Sequence, residues 1–317
     1  MLEPLIFSTQ NSRYFAKLIA EKLGFSELSK IERKTFGGGE KYCRIGIKGR
    51  ADLMGRDVVF VASTHTDDDF LELCRIGCAL AGYGVRRAVY IIPFLGYSTM
   101  ERAVKPGEVV TAKTITRSLS GIPSGDKRNV FLMMDLHISG LVHYFEGDCL
   151  RFELYAEDVL IEMMDKLSWC NDPRKIIFAS ADLGRPMWVR SFAEKFGTGI
   201  AMVNKKRNGG RTEITEVIGY VKGKNVIIYD DMVRSGGSLV NAANAYLKHG
   251  ALSVNAVISH FAVNDRATIV KLSRTFPGMM ITTNSHPMSK FVGSQFDRIF
   301  IADVSEVFAE AIKRIIV

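Results

Sequence analysis

Apolar runs of strand length recur along the chain, most of them followed by a stretch whose apolar residues fall at helical spacing. Leu5–Ser8 precedes Asn11–Lys22, Asp57–Ala62 precedes Asp68–Gly82, and Arg87–Pro93 leads through a loop to Val109–Leu119, with Asn129–Leu136 after it. The rhythm then repeats. Lys175–Ser180 leads to Pro186–Phe196, Ile200–Val203 ends in a polar loop, Lys224–Tyr229 leads to Ser238–His249, and Leu252–His260 leads to Asp265–Leu272. Gly278–Thr283 and Arg298–Ala302 precede the last helix, Val304–Ile316. Apolar strands alternating with amphipathic helices predict an α/β fold with largely parallel sheets. Two such series predict two similar domains, 1–147 and 148–317, with the last helix able to pack back on the first. The stretch Asn208-Gly209-Gly210-Arg211-Thr212 reads as a mobile loop.

Open α/β sheets bind ligands beyond the carboxyl ends of their strands, which singles out Thr64–Asp69, Tyr97–Arg102, Asp135–His137, Asp182–Arg185, Lys205–Arg207 and Asp230–Ser238. The last is the most telling. An apolar strand ends in Asp230-Asp231, and the small-residue turn Arg234-Ser235-Gly236-Gly237-Ser238 opens a helix. Amide N–H groups at a helix start hold phosphate, and paired carboxylates hold ribose hydroxyls or the waters of a magnesium ion. The combination suits a phosphorylated sugar.

Composition narrows the classes. Hydrophobic residues make up 47% and charged residues 24% of the 317, the balance of a globular protein. No run is long and apolar enough for a membrane span, and the N-terminus has no signal-peptide pattern. Five cysteines without paired CxxC units fit a reducing cytoplasm; Cys74 and Cys78 read as small hydrophobes on one helix face. The net charge is +8, but its basic residues are dispersed, without an aromatic-interleaved stripe. Nucleotides are therefore favoured over nucleic acid as partners.

Several motifs together resemble the ribose-phosphate pyrophosphokinase family over nearly the whole chain. They are Phe36-Gly37-Gly38-Gly39-Glu40, Pro93-Phe94-Leu95-Gly96-Tyr97, Thr111-Ala112-Lys113, Met134-Asp135-Leu136-His137, Ser180-Ala181-Asp182, Lys205-Lys206-Arg207, Asp230-Asp231-Met232 and Phe308-Ala309-Glu310-Ala311-Ile312. The resemblance implies two phosphoribosyltransferase-like domains and an active site shared with a neighbouring subunit of a homo-oligomer, dimer-based and up to a hexamer. It implies transfer of the β,γ-diphosphoryl group of ATP to the C1 hydroxyl of ribose 5-phosphate, with Mg2+. By the same resemblance His137 and Asp182 hold the metal, and Lys205 and Arg207 act on the diphosphoryl group. Asp230 and Asp231 hold ribose, while Arg234, Ser235, Gly236, Gly237 and Ser238 wrap the 5-phosphate. Phe36, Gly38, Glu40, Tyr97, Thr99, Met100 and Arg102 form the nucleotide segment.

Three segments depart from the family pattern. Thr99 stands where the family has an arginine, with Arg102 retained; Trp188 stands in a basic position and reads as helix packing; Arg234 replaces an acid beside the phosphate loop. Arg234 leaves ADP-ribose open as an alternative acceptor, and the altered nucleotide segment leaves a catalytically silent regulatory homologue open. A simple phosphoribosyltransferase is disfavoured by Asp135-Leu136-His137 together with Lys205 and Arg207.

Overall fold

The computed structural model describes residues 3–182, 186–208, 211–292 and 296–316, leaving aside the side chains at 186–187, 206–208 and 211–213. The chain divides into two compact units, Met1–Tyr155 with Val304–Val317, and Ala156–Asp303. Each is built on its own open sheet flanked by helices, the α/β architecture that the hydrophobic rhythm predicts.

In the first unit the strands β1 (Leu5–Ser8), β4 (Asp57–Val61), β5 (Arg87–Ile92), β6 (Val130–Met134) and β7 (Leu150–Leu154) form a parallel sheet in the order β1-β4-β5-β6-β7. Strands β4 and β6 are buried at every residue, as parallel strands covered on both faces must be. Helices α1 (Arg13–Lys22), α2 (Asp67–Gly82), α3 (Thr111–Ser120) and α8 (Ser305–Ile315) belong to this unit. The Phe15 ring of α1 meets Phe308 of α8 edge-on at 5.6 Å, and the Arg87 guanidinium donates to the Ile315 carbonyl. Helix α2 starts at the side-chain cap of Thr66, whose hydroxyl accepts the Asp69 N–H at 3.1 Å.

A separate antiparallel hairpin, β2 (Ile31–Thr35) with β3 (Lys41–Ile45), stands where the hydrophobic pattern shows no strand. Its ten residues include a single buried one, Ile45, so almost nothing in it alternates between core and water. For a related reason β7 and the helix α4 (Glu157–Lys166) go unread: no residue of β7 is fully buried, and α4 buries only Leu160 and Met164.

The second unit carries β8 (Ile176–Ser180), β9 (Ile200–Asn208), β10 (Arg211–Ile218), β11 (Asn225–Val233), β12 (Ser253–Phe261), β13 (Met280–Thr283) and β14 (Ile299–Ala302) in the order β10-β9-β8-β11-β12-β13-β14. All neighbours are parallel except β9 and β10. Helices α5 (Pro186–Phe196), α6 (Gly237–Lys248) and α7 (Arg266–Thr275) complete it with α4. Two expectations are corrected here. Strand β9 continues past Val203 through Lys205 and Arg207, which therefore lie in an antiparallel ladder rather than in a loop. The stretch read as a mobile loop has Asn208 and Arg211–Thr212 in strands, and its Gly209-Gly210 lie outside the described residues. The polar ladder bonds of a hairpin pay no heed to apolar content, which explains why a Lys/Arg run could hide a strand.

Candidate active site

The second unit gathers polar residues at the carboxyl ends of three adjacent strands, β9, β8 and β11. Ser180 on β8 stands opposite Tyr229 on β11, so Asp182 and Asp231 each follow two residues beyond a matched pair. Asp182 is exposed just past its strand; the Ser180 hydroxyl donates to its carbonyl, and Tyr246 from α6 donates to the Ser180 carbonyl at 2.7 Å. Burial pushes the Tyr246 phenol well above its ordinary range, which keeps it a neutral donor. The positions 183–185, part of the segment singled out after Asp182, lie outside the described residues. Trp188 is half-buried, its ring 6.1 Å from Tyr229 at 27°, the packing role that the sequence favours.

Asp230 and Asp231 lie within β11 rather than after it, because the strand runs on through Val233. Asp231 is buried, and its N–H donates to Asp230 Oδ1 at 3.0 Å. Arg234 and Ser235 follow as an exposed bend, and α6 begins one residue earlier than its apolar pattern suggests, at Gly237. The cap is Gly236, at φ 74° in the left-handed region, without any side-chain hydrogen bond to the helix start. A helix leaves its first amide N–H groups without intrahelical partners, and a glycine cap adds no acceptor of its own. Those donors, with the positive end of the helix dipole, are suited to an anion. Glycine is required here twice over. The positive φ disfavours a Cβ, and a Cβ would stand 2.3 Å from Leu272 Cδ1 of α7.

Lys205 is half-buried on β9, opposite Ile214 of β10. The ladder shifts register between Ile214 and Glu216, leaving Thr215 as an extra residue whose hydroxyl donates to the Asn204 carbonyl at 3.3 Å. Bulges of this kind re-aim neighbouring side chains and recur beside active sites; the sequence offered no sign of this one. The side chain of Arg207 lies outside the described residues.

In the first unit, His137 lies three residues beyond the end of β6, not at the end of a strand. Asp135 turns the chain at φ 39°, a conformation that Asp tolerates better than most residues. Its N–H donates to the Leu154 carbonyl at 3.0 Å. Glu153 of β7 fixes the turn from the other side, accepting the Leu136 N–H at 2.9 Å. His137 is half-buried. It belongs to the first unit and Asp182 to the second. Among the described residues no group of three or more His, Cys, Asp or Glu could hold a metal ion.

The nucleotide segment falls on two loops. Phe36, Gly38 and Glu40 form the exposed tip of the β2–β3 hairpin, closed by Phe36 N–H donating to the Glu40 carbonyl at 3.0 Å. Tyr97, Thr99, Met100 and Arg102 follow β5. Tyr97 is held at φ 61° and donates through its hydroxyl to Asp67 Oδ1 at 2.6 Å, and that bond raises its phenol pKa. Lys41 of the hairpin pairs with Asp68 at 3.6 Å. Both loops are thus tied to the acidic first turn of α2, a connection made by tertiary contacts alone. Arg102 is 78% exposed and approaches its neighbour Glu101 at 3.4 Å.

An acid pair on one strand of an α/β sheet, with a glycine-opened helix after it, is an arrangement suited to a phosphorylated ligand. Residues 4–122 match the family described as the N-terminal domain of ribose phosphate pyrophosphokinase, and 203–317 match the phosphoribosyl synthetase-associated domain. The chain is 32% identical to a ribose-phosphate pyrophosphokinase of Fusobacterium nucleatum, over 98% of this chain and 94% of that one. It is 31% identical to that of Porphyromonas gingivalis, with 98% and 94% covered. The crystal structure of phosphoribosylpyrophosphate synthetase from Mycobacterium smegmatis shares the fold, with a TM-score of 0.85 over 99% of both chains at 20% identity. The chain belongs to the ribose-phosphate pyrophosphokinase family.

Proposed function

We propose that the chain transfers the β,γ-diphosphoryl group of ATP to the C1 hydroxyl of ribose 5-phosphate, giving phosphoribosyl diphosphate and AMP. The observation that carries this reading is the β11–α6 junction, where two carboxylates precede a helix start that has donors and no side-chain cap. Asp230 and Asp231 would accept hydrogen bonds from the ribose hydroxyls. The amides of Gly236, Gly237 and Ser238, the hydroxyls of Ser235 and Ser238, and the Arg234 guanidinium would hold the 5-phosphate. Family membership favours ribose 5-phosphate over ADP-ribose, and an active enzyme over a silent homologue.

In the reaction the C1 oxygen attacks the β-phosphorus, the bond to the α–β bridging oxygen breaks, AMP departs with that oxygen, and the C1 hydroxyl loses its proton. Such transfers gain mostly from positioning and from neutralising charge on the phosphoryl oxygens. Lys205 and Arg207 take that role. Phe36, Gly38, Glu40, Tyr97, Thr99, Met100 and Arg102 take the nucleotide. By the family resemblance Asp182, an exposed carboxylate, and His137, a half-buried imidazole, would each serve as a magnesium ligand, the ion drawing most of its ligands from phosphate oxygens and water. When bound, it supplies positive charge to those oxygens. Association of like chains belongs to the same reading. So does a cytoplasmic setting: five free cysteines suit reducing conditions, and among the described residues no helix is long and apolar enough to cross a membrane.

Purified chain with magnesium and ATP is expected to release AMP only when ribose 5-phosphate is added, measured by nucleotide chromatography. AMP with ADP-ribose alone would move the acceptor. No AMP with any ribosyl acceptor would end the diphosphokinase reading.

A further inference from the structure

The β2–β3 hairpin carries Phe36, Gly38 and Glu40 at its tip, yet little of it is packed. Of its strand residues only Ile45 is buried, and Ile45 pairs with Ile31 at the base. A lone two-stranded hairpin is marginal in water at best, so its orientation has to come from what ties it to the elements beside it. Between the hairpin and α2 lies a cleft of about 300 Å³ rather than a packed seam. Arg33 of β2 reaches α2 at this cleft. Its Nε donates to both carboxylate oxygens of Glu72, at 3.0 and 3.2 Å, and its Nη2 donates to Oε1 at 2.6 Å. The same Nη2 donates to the Ser8 carbonyl at the end of β1, and Nη1 donates to the Ile31 carbonyl at 3.3 Å. One guanidinium thus joins the hairpin, the sheet and the second turn of α2.

Ion pairs elsewhere on the hairpin lie in water. Arg44 meets Glu32 across the two strands at 2.8 Å with side chains 66% and 33% exposed, and Lys41 reaches Asp68 at 3.6 Å with 46% and 72% exposed. Arg33 and Glu72 are only 24% and 14% exposed. Exposed pairs contribute little, whereas a forked contact between arginine and a carboxylate, partly shielded from water, fixes geometry as well as distance. We infer that the Arg33–Glu72 pair is a positioning device for the nucleotide: it holds the hairpin tip in place relative to the Tyr97–Arg102 loop, which the same helix tethers through Asp67. The inference rests on the reading in which these two loops take ATP. Both residues act through the hairpin rather than by touching the nucleotide. Without the pair the hairpin would sample other tilts, and ATP would bind only the correctly placed fraction, so its apparent affinity would fall by that fraction. Once ATP is bound, the chemical step would keep its rate.

Glu72→Gln keeps the shape of its side chain and removes the charge; Arg33→Met keeps most of the bulk and removes the fork. Each is expected to raise KM for ATP roughly 10-fold, with KM for ribose 5-phosphate and kcat at saturating ATP unchanged. The double variant is expected to be no worse than either single one, because the two side chains act as a unit. Hydrogen exchange over residues 31–45 should quicken in both, while that of β4 and β6 stays native. Glu32→Gln, which breaks the exposed pair with Arg44, is the control and should keep parental values. Titration calorimetry with α,β-methylene ATP and magnesium reads the same affinities without turnover. A parent that binds this analogue but releases no AMP would end the diphosphokinase reading, and the variants' affinities would still decide the present inference. The inference falls if both single variants fold and bind the nucleotide as tightly as the parent, or if KM for ribose 5-phosphate rises as much as that for ATP. It also falls if the double variant loses the product of the two single losses, if Glu32→Gln weakens ATP equally, or if the parent does not bind the analogue. Should Arg33→Met not fold, Glu72→Gln against Glu32→Gln decides; failure of both Arg33→Met and Glu72→Gln to fold would make the pair a structural one and overturn the inference as well.

Discussion

Replacing Lys205 by alanine is expected to slow AMP formation by roughly 10²–10³-fold, the penalty for removing one preorganised electrostatic stabiliser in other enzymes. The expected loss is in kcat, with KM for both substrates nearly unchanged, because the charge is called on as the bond to AMP breaks rather than when substrates bind. Folding should be little affected. The residue is half-buried in a strand whose ladder bonds with β10 are made by the backbone, not by the ammonium group. Arg207→Ala is expected to behave in the same way. Steady-state assays of both variants check this, and parental turnover in both would remove the pair from the reaction.

Gly236→Ala should be the most damaging small substitution in the acceptor loop. An L-residue in the left-handed region costs about 1–2 kcal/mol, and forcing a methyl into packed space costs about 1–3 kcal/mol more. The Leu272 side chain that it meets is buried, so it has little room to withdraw. A lowered denaturant midpoint together with a raised KM for ribose 5-phosphate is the expected pair of results. Gly237→Ala is the internal comparison: a Cβ there meets only Ser235 Oγ at 3.8 Å, an ordinary contact, and no positive φ is involved. Equal loss of stability in the two variants would mean that neither the turn nor Leu272 sets the requirement.

The parts legible in the sequence are those where burial writes a pattern. Strands such as Val130–Met134 and the Asn225–Tyr229 part of β11 stand out because water is excluded from both faces of a parallel sheet. The acid pair and the Ser/Gly turn stand out because they interrupt such a run. The hairpin tip carrying Phe36, Gly38 and Glu40 could be named as a motif, yet its strands could not, since Ile31–Thr35 and Lys41–Ile45 remain half-exposed and polar. The same holds for Lys205 and Arg207, whose strand is defined by its pairing with Arg211–Ile218 and not by hydrophobicity. Other features exist only after folding. Glu153 reaches Leu136 across a separation of 17 residues and Tyr97 reaches Asp67 across 30; neither pair shares a helix or a strand from which spacing could be read. The glycine at position 236 was visible as a small residue, but the methyl of Leu272 that makes it obligatory comes from a helix further along.

The membership of α8 in the first unit bears on how the chain is made. Everything from Ala156 to Asp303 is inserted between β7 and that helix. A ribosome therefore releases all five strands of the first sheet, and then the whole second unit, before Phe308 arrives to cover Phe15. The second unit can close while it emerges. The first must wait, with part of its core uncovered, until that helix has emerged.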